Sequence, residues 1–327
     1  MEEIRIRPDD AGQRLDRFLR KYLRGAKLPT IYKMIRTRQV VVNGKRARPE
    51  RRLDDGDLVV LYPADRRMKD LRGRPPRAAK AGAPELDVLY EDDDVLAVNK
   101  PPFLLVHKGR DEDEATLLDA VWSYLGPSES KTFRPNLAHR IDRLTSGIVL
   151  VGKSAAGLRG LTRALRRKKM TKAYLTLVVG EVSPAAGFID APILRRDLYE
   201  SDRLRVEIDR DGKPARTLYR VIVAHGGLTL AEAQPQTGRT HQIRAHFAHV
   251  GCPVAGDPIY GDEATNRRLK GRHGLWRQWL HAFSVRLNHP VTGATIHVTA
   301  PLPKDLTKVL TGEGFPTEGL PEGATER

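Results

Sequence analysis

The sequence has a single cysteine, Cys252, among its 327 residues, and only 6% of its residues are aromatic. One cysteine excludes an internal disulfide and is typical of a reducing compartment. No apolar run approaches the roughly 20 residues that a membrane-spanning helix requires, so we expect no membrane partner. The start, Met1 to Ile4, lacks the basic and apolar regions of a secretory signal. These absences predict a cytoplasmic protein.

Nucleotide-binding patterns are also missing, because the sequence contains neither a Walker phosphate loop nor a GxGxxG motif. We therefore expect no cofactor, and we assign no metal site. His246, His249 and Cys252 are spaced like metal ligands, but no fourth ligand is evident. A zinc hydrolase built on these three residues is the weakest of the alternatives.

Positive charge, in contrast, is abundant. The net charge is +16 with a pI near 10.0, while 40% of the residues are hydrophobic and 30% are charged. The composition predicts a soluble globular protein, and the length allows about two domains. An excess of this size favours a polyanionic partner such as RNA or DNA.

Residues 1–63 predict a small α+β domain. An apolar stripe from Leu15 to Leu23 predicts a first helix, for which Asp10 and Gln13 would form a capping box. A second helix is predicted from Thr30, and Asn43-Gly44 is typical of a hairpin turn. Strands are predicted at 40–42 and 58–61.

The order helix, helix, VVVNGK and DGDLVVL resembles the S4 RNA-binding domain. In that family the second helix and the adjacent hairpin face RNA. The cations at those places are Lys33, Arg36, Arg38, Lys45 and Arg46. A solvated surface is the ordinary alternative for such residues, but their density favours contact with phosphates.

Two further segments are predicted to lack regular structure. Residues 64–84 are rich in Arg, Lys, Ala, Gly and Pro without apolar periodicity, which predicts a flexible basic linker. Residues 311–327, rich in Gly, Pro, Glu and Thr, predict a disordered tail. The intervening residues 85–310 are predicted to form the second, larger domain.

The stretch on which the functional prediction depends is HRIDRLTSG at 139–147, which precedes the apolar run 148–151. The apolar run predicts a buried strand, and Asp142 then lies in a loop held by that strand. An aspartate that only hydrogen-bonds its own backbone is the ordinary alternative.

This stretch resembles the catalytic motif of the RluA-type family of RNA pseudouridine synthases. Two further segments are similar to motifs of that family, KAY at 172–174 and GRTHQIR at 238–244. The resemblance extends over nearly the whole chain and is nearest to the subgroup that acts on large-subunit (23S) ribosomal RNA. It implies an α+β fold with a mixed, largely antiparallel central sheet and flanking helices, preceded by the S4 domain.

The resemblance also implies the chemistry and its residues. A uridine is isomerised without a cofactor, and Asp142 acts either as a nucleophile on the sugar or as a base; both schemes stay open. Tyr174 would stack on the target base, and Arg244 would pair with Asp142. Three further residues would contact the substrate. Arg140 would fill the stack that the uridine vacates or contact a phosphate, and Arg239 would lie near a phosphate or the substrate. Leu280 would form a wall of the base pocket.

The segment LAVNKPPFLLVHKG at 96–109 resembles another family motif but departs from it at Phe103, where the family usually has glycine. A positive φ at this position would be costly for phenylalanine.

The predicted substrate is large-subunit rRNA, either free or in an assembling subunit, and the protein is predicted to be a monomer. Transfer RNA is the nearest alternative substrate. A non-catalytic RNA-binding factor for ribosome assembly is the main alternative of another class, since composition alone would fit it equally well.

Overall fold

The computed structural model describes residues 1–62, 68–73, 78–80, 82–108, 114–196, 205–316 and 320–324. Two hydrophobic cores dominate it. One lies in the N-terminal part of the chain around Phe18, and another lies against the central sheet around Tyr174 and Phe247. The predicted α+β class is confirmed.

The N-terminal unit consists of a four-stranded antiparallel sheet covered by two helices. Its strands pair in the order β1-β4-β2-β3. Apolar side chains of α1 and α2 pack on this sheet because they recur at helical spacing along one face. The elements are β1 (Glu2–Arg5), α1 (Leu15–Tyr22), α2 (Leu28–Arg36), β2 (Val40–Val42), β3 (Lys45–Arg46) and β4 (Leu58–Leu61).

The rest of the chain is organised by one mixed sheet. Within the described residues its main path has the order β10-β13-β14-β9-β15-β8-β6-β5, with β16 beside β15 and β7 beside β8. Its first elements are α3 (Met68–Arg72, a short helix that precedes the sheet), β5 (Val88–Glu91), β6 (Val95–Lys100), α4 (Leu117–Leu125), β7 (Asn136–Leu137), β8 (Ser146–Gly152), α5 (Ala155–Arg166) and β9 (Met170–Val179).

The sheet is completed by the C-terminal half of the chain. Its strands pair antiparallel except for β15 and β8, which run parallel with His281 opposite Ser146. The elements are β10 (Ala186–Asp190), β11 (Ile193–Arg196), β12 (Arg205–Ile208), β13 (Arg216–His225), β14 (Leu228–Pro235), α6 (Gln242–His249), α7 (Glu263–His273), β15 (Leu280–Asn288), β16 (Thr295–Thr299) and α8 (Lys304–Gly312). Strands β11 and β12 form a separate hairpin.

The capping box predicted at Asp10 and Gln13 is wrong. Helix α1 begins at Leu15, and the residue before it, Arg14, makes no side-chain cap. The carboxylate of Asp10 instead accepts hydrogen bonds from Ser130 and Thr132 of the larger unit. A long-range partner has therefore replaced a local one.

The prediction of a structureless segment at 64–84 is corrected in part, because Met68–Arg72 form the short helix α3. Leu71 is half-buried against the N-terminal core, and its carbonyl accepts a hydrogen bond from the Gly25 amide at 2.9 Å. Residues 64–67, 74–77 and 81 of the predicted linker lie outside the described residues.

The predicted disordered tail is also wrong for the residues that are described. Phe315 and Ala324 are buried in a cluster with Trp279, and the Leu302 amide donates to the Ala324 carbonyl at 3.0 Å. These apolar residues hold the described part of this segment against the sheet despite the polar composition around them. Residues 317–319 and 325–327 lie outside the described residues.

Among the residues that the structure describes, no helix is long and apolar enough to cross a membrane.

Candidate active site

Asp142 lies in the loop between β7 and β8, at the point where the chain enters the most deeply buried strand of the sheet. Every residue of β8 is buried. The Thr145 amide donates to the Asp142 carbonyl at 3.1 Å, which closes a tight turn. The Asp142 side chain remains 22% exposed. It is therefore reachable by a substrate while its backbone is fixed by the strand.

A buried lysine ties this loop to the neighbouring segment. The Lys100 ammonium group donates to the carbonyl oxygens of Pro101 at 2.7 Å, Leu104 at 3.0 Å and Arg143 at 3.0 Å. Burial lowers the pKa of Lys100 to about 7. Since Arg143 follows Asp142 directly, these bonds fix the backbone of the loop that carries Asp142. Sequence reasoning gave Lys100 no such role, because its acceptors are backbone atoms.

Phe103 adopts the positive φ that the sequence analysis identified as costly for phenylalanine. Its φ is +67°, so the backbone keeps a conformation suited to glycine. The ring is 51% exposed, and the Phe103 carbonyl accepts a hydrogen bond from Arg143 Nε at 3.1 Å. The turn therefore keeps the positive φ, and its Phe103 carbonyl braces the loop that carries Asp142.

On its opposite side, the loop is held by residues that lie just before β15. Arg277 is fully buried, pairs through two nitrogens with the Asp305 carboxylate, and donates to the Leu144 carbonyl at 3.2 Å. Gln278 donates to the Thr145 hydroxyl at 3.2 Å. The loop is thus held on both sides by buried polar groups.

Arg244 projects from α6 and joins two carboxylates. Its Nη1 donates to Asp142 Oδ2 at 3.0 Å, while Nε and Nη2 donate to Asp257 at 2.6 and 2.8 Å. Burial would lower the pKa of Arg244, but the two carboxylates raise it on balance. The guanidinium therefore stays charged, and Asp257 fixes its orientation.

Tyr174 and Leu280 form the apolar floor beside Asp142. Tyr174 on β9 pairs with Ala282 of β15, and Leu280 pairs with Thr176 of β9. Both side chains are nearly buried, at 7% and 4% exposure. Burial and the charge of Asp142 raise the pKa of Tyr174, so its phenol stays neutral.

A single open cleft brings the predicted substrate residues together. Asp142, Tyr174, Arg244 and Leu280 line it, together with Arg140, Lys172 and Arg239. Arg140 is exposed, whereas Arg239 is half-buried and its Nε donates to the Pro214 carbonyl at 3.1 Å. The arrangement can hold a flat ring on Tyr174 with a carboxylate beside it.

His241 also lines the cleft, and sequence reasoning missed it. Its Nε2 is 3.9 Å from Asp142 Oδ2, and its Nδ1 is 3.1 Å from the Tyr260 hydroxyl. Burial lowers its pKa despite the opposing charge of Asp142, which favours a neutral ring. Its φ of +52° is a strained conformation at the start of α6. Its place in the GRTHQIR segment was the only available signal.

The cations predicted to contact RNA lie elsewhere, on the N-terminal unit. Lys33 and Arg36 are on α2, Arg38 follows that helix, and Lys45 and Arg46 form β3. All five side chains are exposed. Within the described ranges none of them is engaged in an ion pair, so their charges are available to a partner.

The alternative zinc triad is not assembled. His246 Nε2 is 3.0 Å from the Ala191 carbonyl, and the Cys252 thiol contacts the Glu181 carbonyl. His249 is exposed. In the part of the chain that the structure describes, no three His, Cys, Asp or Glu side chains are grouped so as to hold a metal ion.

Comparison with known proteins agrees with this geometry. The family described as RNA pseudouridylate synthase matches residues 94–249, and the S4 domain matches residues 13–59. Proteins named ribosomal large subunit pseudouridine synthase C from Salmonella typhi and Escherichia coli (strain K12) are each 37% identical over 308 residues, which covers 94% of this chain and 95% of the relative. The protein of that name from Haemophilus ducreyi is 38% identical over 305 residues, covering 93% of each chain.

The chain belongs to the RNA pseudouridylate synthase family. It is therefore an RNA pseudouridine synthase, an isomerase whose substrate is uridine within RNA, and its N-terminal unit contains an S4 domain. The predicted family and activity are confirmed.

Solved structures agree on the fold. The structure of human RNA pseudouridylate synthase domain containing 4 aligns with a TM-score of 0.56 at 24% identity, covering 69% of this chain and 92% of that one. That of domain containing 1 aligns with a TM-score of 0.54 at 26% identity, covering 70% and 86%.

Proposed function

We propose that this synthase converts uridines of large-subunit ribosomal RNA to pseudouridine, with Asp142 as the reacting carboxylate. The observation that carries the proposal is the contact between Asp142 and Arg244 in an open cleft floored by Tyr174. The choice of RNA is supported by the relatives, which are named for the ribosomal large subunit and match nearly the whole chain.

The role of Asp142 follows from its surroundings. It is the carboxylate that lines the cleft, it is partly exposed, and a guanidinium holds one of its oxygens. The other oxygen, Oδ1, is left to meet the sugar of a nucleotide in the cleft. Either attack on the sugar or removal of a sugar proton is possible from this position.

The neighbouring side chains would hold the flipped nucleotide. The Tyr174 ring offers a stacking surface to a base that has lost its neighbours, and Leu280 bounds the same apolar floor. Arg140, exposed at the cleft, would fill the space that the base vacates or contact a phosphate. Arg239 would contact a phosphate or the substrate.

The N-terminal unit would supply affinity for structured RNA. Its five exposed cations, defined above, are suited to contacts with phosphates, which position an RNA without reading its sequence. The boundaries 1–63, 64–84, 85–310 and 311–327 remain our proposed division of the chain. We further propose that the protein acts in the cytoplasm as a monomer, consistent with one buried cysteine and a strongly basic surface.

The direct test uses rRNA labelled with tritium at C5 of uridine, because that hydrogen is released when the new carbon–carbon bond forms. We expect wild-type protein to release tritium, and Asp142→Asn to bind the RNA with near-normal affinity and release none. A wild-type rate in Asp142→Asn would remove Asp142 from its role. Release from tRNA but not from rRNA would instead select the alternative substrate.

The non-catalytic alternative is distinguished by the same assay. A ribosome-assembly factor would bind rRNA without releasing tritium under any condition. Mapping of pseudouridines in rRNA from cells that lack the gene would then identify the target positions, which should carry unmodified uridine.

A further inference from the structure

Lys172 is a cation in the cleft that the chemistry described so far does not use. It lies two residues before Tyr174 on β9, so the two side chains project from the same face of the strand, and both line the cleft. Their Cα atoms are about 7 Å apart at this spacing, which is within reach of a lysine side chain. The ammonium group can therefore approach the edge of a ring that stacks on Tyr174.

The charge of Lys172 is also not compensated by a neighbouring group among the described residues. Across the described residues its Nζ makes no hydrogen bond and no ion pair, although the side chain is partly buried. Burial accordingly lowers its pKa. A cation held in such a place lowers stability unless something binds it, so the site is suited to a ligand with negative charge.

The other charged groups of the cleft are placed differently, and Arg140 is exposed to solvent. Arg244 lies between Asp142 and Asp257, so these three groups together carry one negative charge. Arg239 is tied to a backbone carbonyl at the cleft wall. Lys172 is consequently the charge best placed to meet an anion beside the stacking ring.

We propose that the Lys172 ammonium group is a catalytic residue that binds the detached uracil and stabilises its negative charge. This inference rests on the proposed function. When the bond from C1′ to N1 breaks, its electron pair stays with the ring and spreads to the two carbonyl oxygens. If Asp142 is the nucleophile, its carboxylate bonds to C1′ as N1 leaves and is displaced when C5 bonds to C1′; if it is the base, it takes the C2′ proton as N1 leaves and returns it when C5 bonds to C1′. In both schemes the ring turns, the C5 proton is released and N1 gains a proton.

The test compares Lys172→Met and Lys172→Arg with wild type in single-turnover reactions on the same rRNA. Loss of one charge-stabilising donor should slow Lys172→Met by about 100-fold, and Lys172→Arg should recover part of the rate. Lys304→Met, at an exposed position of α8, is the matched control and should keep the wild-type rate. Lys172→Met should melt at the wild-type temperature or higher, since it removes a buried, unpaired charge.

A better leaving group separates this role from simple RNA binding. Uracil with fluorine at C5 carries negative charge more easily, so consumption of a target 5-fluorouridine should be less impaired by Lys172→Met than consumption of uridine. An equal defect with both substrates, or a change in RNA affinity alone, would overturn the inference in favour of a phosphate contact. If wild-type protein fails to act on rRNA at all, the proposed function fails instead.

Discussion

Asp257 grips the Arg244 guanidinium with both carboxylate oxygens, at 2.6 and 2.8 Å, and is itself almost completely buried. The same Asp257 oxygen that accepts from Nη2 also accepts from the Ile259 amide at 2.8 Å. The aspartate is therefore fixed by the backbone, and Arg244 is fixed by the aspartate. We therefore expect Asp257 to position Asp142 through Arg244.

We expect Asp257→Asn to reduce turnover strongly, because Arg244 would lose its orientation toward Asp142. Removal of one partner of a buried ion pair should also lower the free energy of unfolding by about 3 kcal/mol. The rate should be measured at a temperature where near-UV circular dichroism shows a fully folded variant. A folded Asp257→Asn with wild-type turnover would show that Asp257 does not position Arg244.

Tyr174 should act through its ring rather than its hydroxyl. Tyr174→Phe keeps the ring and should retain much of the activity. Tyr174→Ala should lower the rate by about 10- to 100-fold, which corresponds to the loss of the stacking free energy of one base. Single-turnover rates of the two variants on rRNA test this. Their affinity for the RNA is measured separately, with each Tyr174 substitution combined with the inactive Asp142→Asn. Equal activity of the two variants would indicate that the ring serves only the core.

We expect the backbone conformation of Phe103 to lower the free energy of unfolding, because its φ is +67° and its ring is half exposed. Phe103→Gly should exceed Phe103→Ala in free energy of unfolding by about 1 kcal/mol, since both lose the ring but only glycine relieves the backbone. Denaturant unfolding of the two variants gives the comparison. An alanine variant as stable as the glycine variant would mean that the turn relaxes without cost.

Asp10 should control how the N-terminal unit is attached. Its carboxylate accepts from the Ser130 hydroxyl, the amides of Lys131 and Thr132, and the Thr132 hydroxyl. We expect Asp10→Ala to accelerate hydrogen exchange at the Lys131 and Thr132 amides while β8 stays protected.

Asp55→Asn is the matched control, because Asp55 is exposed on the same unit and its charge faces solvent. Exchange at these two amides should be the same in Asp55→Asn as in wild type. Unchanged exchange in Asp10→Ala would show that the two units are held together elsewhere.

Because His281 is buried, we expect the free energy of unfolding to decrease in mild acid. It is completely buried between the Ser146 hydroxyl and the Ala300 carbonyl, and burial lowers its pKa to about 4. The unfolded chain takes up this proton below about pH 6.5, while the folded protein does not until about pH 4. Stability should therefore fall as the pH falls through this window.

The comparison variant is His281→Gln, which can still donate and accept but does not titrate. Unfolding free energies of both proteins at several pH values between 4 and 7 should show a flatter dependence in the variant. Parallel curves would assign the acid sensitivity to other groups.

The binding surface on the N-terminal unit is expected to respond to salt. Neutralising Lys33 and Arg36 together should weaken rRNA binding and reduce the slope of log affinity against log salt by about 0.7–0.9 per lost phosphate contact. Turnover at saturating RNA should be unchanged, because these side chains lie outside the cleft.

The identity of the protein could be predicted from short segments, because their chemistry is local. Asp142 in a polar loop before a buried strand, Tyr174 in KAY and Arg244 in GRTHQIR were recognisable as patterns. The strands at 40–42 and 58–61 were also predictable, because their signal is local. The cap at Asp10 failed because its partners are more than a hundred positions away.

What the sequence determined by itself was which side chains are available: the family motifs, the apolar run that predicts β8, and the positive charge. Only the tertiary structure decided which of them meet. It set Arg244 against Asp142 across 102 residues of chain, gave Arg244 its second carboxylate in Asp257, and buried Lys100 against the Arg143 carbonyl of the loop that carries Asp142. Such contacts depend on how strands distant in the chain pair in one sheet, and that pairing leaves no pattern in a local stretch of residues.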